Sequence, residues 1–78
     1  MSELIRDEIG GYFDTIVVES AGYTYIATAP IGTLRSEPKW RVKRVKEAGG
    51  ETQIVWADDH PGFVHVATNI TSLNFRNI

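Results

Sequence analysis

Residues 56–65, "WADDHPGFVH", hold the densest set of side chains that could do chemistry. Asp58, Asp59, His60 and His65 offer carboxylate oxygen and imidazole nitrogen, donors that suit first-row metal ions. Three of them could share one ion. The same residues are also ordinary turn chemistry, in which Asp side chains bond nearby backbone and Pro61-Gly62 reverses the chain. No serine is tied by spacing to either histidine as a nucleophile would be: Ser20, Ser36 and Ser72 fall in turns or loops. Neither "GG" pair forms a phosphate loop, no pair of carboxylates stands out, and there is no cysteine for a thiolate site or disulfide. We therefore assign no catalytic residue, no cofactor and no metal, and expect a protein that is not an enzyme.

The second candidate is the cationic run. Five of the eight Lys and Arg residues lie between positions 39 and 46, with Trp40 inside the run and Trp56 shortly after it. Basic and aromatic residues on one solvent-facing surface would make a platform for single-stranded bases. The net charge of −2 argues against general DNA binding, which phosphate neutralisation drives. Other readings are a solvated strand face that resists edge-to-edge pairing, or a contact to an acidic partner surface.

The elements that position these residues follow from pattern. Apolar residues alternate with period two, and Gly and Pro recur every eight to twelve residues, as in a small all-β domain. Six strands are expected, at residues 12–20, 23–29, 40–47, 52–57, 63–68 and 72–75. In meander order they would make a small antiparallel β-barrel or sandwich. Residues 12–78 form the single β-domain and residues 1–11 a short N-terminal arm. Leu4, Ile5 and Ile9 in that arm suit a helical turn that anchors on a neighbouring subunit, set against a frayed terminus.

Around Gly49-Gly50, counting outward pairs Val45 with Ile54. Simple alternation then splits the two tryptophans between opposite faces. A β-bulge, with Lys43 and Arg44 together opposite Val55, would instead put Trp40, Val42, Val45, Ile54 and Trp56 on one inward face. Arg41, Lys43, Arg44 and Lys46 would then point outward. We expect this bulge. It separates indoles from cations, so nucleic acid is disfavoured as a partner.

At 78 residues the chain is a single domain that buries only about 60–65% of its unfolded surface. Such a thin core favours a homo-oligomer or a place in a larger assembly. No apolar run is long enough to cross a membrane, and the acidic start lacks a signal-peptide core, so synthesis in a cytoplasm is expected.

Three stretches carry a family resemblance: "YIATAPIGTLRSEPKWRVKRV" (residues 25–45), "IVWADDHPGFVHV" (54–66) and "TSLNF" (71–75). Together they resemble short virion-associated β-domain proteins of bacteriophages. Those show a Tyr-(Ile/Val)-Gly-x-Ala opening, a Gly-Thr-x-x-Ser loop, a Trp-x-Ile-Lys-Arg-Ile strand, a Trp-Ala-Asp-Gly turn and a closing Ser-Leu-x-Tyr. Here Ala27 stands in place of the Gly, and "VATNITSL" replaces a Trp-Asp-Asp-Arg-Ala-Ser-Leu run. The resemblance implies a virion structural protein made in the host bacterial cytoplasm, present in many copies on a capsid, tail or junction, and bound to other virion proteins. Leu4, Ile5, Ile9, Arg41, Lys43, Arg44 and Lys46 are the expected partner-binding residues. The alternative is a small nucleic-acid-binding or regulatory β-barrel that uses the same basic face.

Overall fold

A computed structural model describes residues 13–77. Four strands make one antiparallel sheet: β1 (Phe13–Ser20), β2 (Tyr23–Pro30), β3 (Arg41–Ala48) and β4 (Glu51–Trp56). They lie in sequence order β1-β2-β3-β4. Both tight hairpins have the backbone that their sequences suggest. Ala21 and Gly22 have φ of 53° and 85°, and Gly49 and Gly50 have 59° and 78°. Two successive positive φ values match the right-handed twist of the strands they join.

One face of the sheet is covered. Tyr25, Ala27, Ala29, Trp40, Val42, Ala57, Ala67 and Ile70 form the buried core, with Ile16, Val18, Tyr23, Leu73 and Phe75 packed against it. The cover over β1–β3 is the irregular chain that follows β4. The alanines at 27 and 29 are fully buried, so larger side chains there would displace the cover. The 31–39 loop is held by its own polar groups. Leu34 N–H donates to Glu37 Oε1 (2.7 Å), Gly32 N–H to Asp14 Oδ2 (2.9 Å), and the Trp40 indole N–H to the Leu34 carbonyl (2.9 Å).

Three expectations are corrected. First, residues 63–68 and 72–75 are not strands, so the described residues hold four strands rather than six. Among the described residues their backbone bonds to the rest of the chain are one bridge, in which Trp40 and His65 exchange bonds of 2.9 and 2.8 Å, the Ala67 N–H to the Arg35 carbonyl at 2.8 Å, and the Asp58 N–H to the Asn74 carbonyl at 2.7 Å. Residues 70–72 coil into a 3₁₀ turn. The alternation that suggested strands has another cause: His65, Ala67 and Ile70 face the core while Val64, Val66 and Thr68 do not. Second, the sheet does not close into a barrel, and β1 and β4 are its two edges.

Third, no bulge interrupts β3. Arg44 alone faces Val55, and Lys43 pairs with Trp56. The two tryptophans therefore sit on opposite faces. The bulge was invoked to bury both indoles, but the open side of the sheet accommodates Trp56 instead.

Candidate functional site

The uninterrupted register sorts the basic run. Side chains alternate along a strand, so Val42, Arg44 and Lys46 share the covered face while Arg41, Lys43, Val45 and Glu47 share the other. The four cations expected on one surface divide in pairs. Arg44 is structural. Its guanidinium lies 4.2 Å from the Tyr23 ring centroid and 5.2 Å from that of Phe75, and its Nη2 donates to the Arg76 carbonyl at 3.0 Å. It pins the C-terminal segment over the sheet. Leu4, Ile5 and Ile9 lie outside the described residues.

The opposite face is the candidate site. Register places Phe13, Thr15, Val17 and Glu19 of β1 on it, then Thr24, Ile26 and Thr28 of β2. β3 adds Arg41, Lys43, Val45 and Glu47, and β4 adds Thr52, Ile54 and Trp56. Phe63, from the loop after β4, stacks on Phe13 with ring centroids 5.9 Å apart. A water-facing antiparallel sheet normally presents polar side chains. Here Ile54 is 50% exposed, Val17 40% and Phe63 39%. With Ile26, Val45 and Trp56 they put apolar groups on all four strands of this face, among threonines and charges, and exposed apolar groups gathered on one face suit a contact surface.

Cations and aromatics meet on this face. The Arg41 guanidinium lies 4.6 Å from the Trp56 ring centroid and 5.3 Å from that of Phe63; the Lys43 ammonium lies 5.6 Å from Trp56. Such contacts are worth about 0.5–1 kcal/mol each at exposed sites. Arg41 makes no ion pair among the described residues, and its Nε is buried without a hydrogen-bond partner. A guanidinium on an apolar surface without a counter-charge favours an incoming anion.

The carboxylate–histidine cluster is brought together, but as scaffolding. Asp58 and Asp59 both have φ of 54° in the 3₁₀ turn after β4. Asp58 N–H donates to the Asn74 carbonyl at 2.7 Å, and Asp59 pairs with Arg76 at 3.5 Å. His65 is buried, 3.7 Å from Asp58 Oδ2, and His60 Nδ1 accepts the Gly62 N–H at 3.0 Å. The imidazole rings meet edge to face at 6.3 Å. Among the described residues no three His, Cys, Asp or Glu side chains are placed to hold a metal ion. Sequence reasoning missed Val17, Ile26 and Phe63 as members of the open face. The signal for Val17 was present: Ile16, Val17 and Val18 in succession put apolar groups on both sides of one strand.

Compared with protein-family models, with curated proteins and with solved structures, the chain matches none.

Proposed function

We propose that this chain is a structural component of a bacteriophage particle, present in many copies, which binds neighbouring virion proteins of the capsid, tail or junction and performs no catalysis. The observation that carries the reading is the second face of the sheet, where Val17, Ile54 and Phe63 stand exposed among polar and charged side chains. A chain this small gains stability when another surface covers such a face. Repetition on a lattice lets modest contacts sum to firm attachment. The resemblance of residues 25–45, 54–66 and 71–75 to virion-associated domains supports the setting. Mass spectrometry of purified particles, followed by imaging of intact ones, tests it. The protein is expected at a fixed ratio to the major capsid or tail subunit, and its absence from particles would refute the role.

One observation favours a second reading. Trp56 shares its face with Arg41 and Lys43, so the separation of indole and cations that disfavoured nucleic acid does not hold. Against it, Arg41 already lies over the Trp56 ring, where a base would have to stack. A gel-shift assay with single-stranded oligonucleotides at low salt decides between the two. Binding that weakens steeply with salt and quenches Trp56 would support the nucleic-acid reading.

A further inference from the structure

The open face carries its own electrostatic complement, and we infer that two copies of the chain pack face to face through it about a twofold axis. The inference rests on reading that face as a contact surface. It also names the partner and the register. Arg41 and Glu47 lie on the same side of β3, and Arg44 is midway between them. Arg44 belongs to the row Val18–Tyr25–Arg44–Val55, which runs across all four strands and points to the covered side.

A twofold axis along that row turns each strand over its own copy in the opposite direction. Positions equidistant from the row then meet. Arg41 comes over Glu47 of the second copy, and its own Glu47 under the second Arg41, so each contact forms twice. On β4, Trp56 meets the half-exposed Ile54 of the second copy, again twice. On β2, Ile26 meets Thr24. Neither Arg41 nor Glu47 makes an ion pair among the described residues. Stacked sheets lie about 10 Å apart, a gap that an arginine and a glutamate span together. Twist sets the two strand directions about 30° apart, within the usual range for aligned sheets.

Size places the interface among the smaller ones. Four strands at about 4.8 Å spacing and about 3.4 Å per residue give a face of roughly 500 Å². A pair would bury on the order of 1,000 Å², the lower edge for specific interfaces. An interface at that edge is one that a particle lattice could reinforce or replace.

Sedimentation velocity on the full chain, from about 5 to about 200 μM, tests this across the expected range. The wild type should shift from monomer to dimer. Arg41→Glu and Glu47→Arg should each weaken association tenfold or more, and the double variant carrying both should recover it to within about threefold. Glu47 is exposed beside the hairpin tip, so Glu47→Arg leaves the fold intact by far-UV circular dichroism and keeps the test valid if Arg41→Glu does not fold. A chain that stays monomeric at the highest concentration overturns the proposal, including one whose open face is shielded by its own residues 1–12. A dimer indifferent to the single reversals, or not recovered by the double one, also overturns it. Finding the protein on virions while it is monomeric in solution would sink the dimer and leave the virion role standing.

Discussion

Replacing each tryptophan by phenylalanine separates the two faces of the sheet. Trp40 is 2% exposed and its indole N–H bonds the Leu34 carbonyl. Trp40→Phe removes about 40 Å² of buried apolar surface, near 1 kcal/mol. It leaves a void of roughly 40 Å³, about another 1 kcal/mol, and it loses a hydrogen bond worth about 1 kcal/mol. The expected cost is about 3 kcal/mol, a large fraction of the total stability of a domain this size. Trp56→Phe keeps a ring under Arg41 and loses no indole hydrogen bond among the described residues, so it should cost less than about 1 kcal/mol. Urea titration followed by far-UV circular dichroism reads both, and the Trp40→Phe midpoint should fall by about 2 M or more. Each variant also retains a single indole. The one left in Trp56→Phe should emit at short wavelength and resist iodide; the one left in Trp40→Phe should emit further to the red and be quenched. Equal costs, or equal quenching of the two remaining indoles, would refute the two-faced arrangement.

Other outcomes follow from individual contacts. Arg44→Met removes the guanidinium over Tyr23 and Phe75 and the bond to Arg76; we expect a loss of about 1–2 kcal/mol and faster protease cleavage within residues 70–77, measured by limited proteolysis. Ala21 has a positive φ that alanine adopts at a cost, so Ala21→Asn should raise stability by about 0.5–1 kcal/mol by thermal unfolding, because asparagine tolerates that conformation and forms the favoured Asn-Gly hairpin turn. Val42 is fully buried, and Val42→Ala should cost about 2 kcal/mol in the same assay. Treatment with a strong chelator should leave the melting temperature unchanged; a fall of several degrees would restore a metal role for the Asp58–His65 cluster.

The hairpins, and the meander they join, were legible because Gly49-Gly50 and Ala21-Gly22 have a local reason to turn and because the residues flanking them alternate. The end of the chain was not legible. "FVHVATNITSLNF" has strand-like alternation, yet its inward residues are held by packing on the sheet and by a few single backbone bonds, and periodicity reports burial without reporting its hydrogen-bond partner. The register of β3 was misjudged for a related reason. Burying both indoles on one side demands a bulge only where a sheet has a single apolar face. Here the run Ile16-Val17-Val18 and the pair Ile54-Val55 place apolar side chains on both faces, because neighbours along a strand point to opposite sides. Of the candidate site, Arg41 and Lys43 were found from composition. Their separation from Arg44 and Lys46 depends on parity, which a one-residue slip reverses.

The order in which the core is assembled has a consequence during synthesis. The strands through Trp56 leave the ribosome before Ala67, Ile70, Leu73 and Phe75, which must come down over Tyr25, Ala27 and Val42. Until that segment docks, the side of the sheet it covers is bare. In that interval its sticky surfaces are open to chaperones and to sister chains on the same message. A ribosome stalled soon after Trp56 would release a fragment with its hairpins made and nothing to close them, prone to clumping.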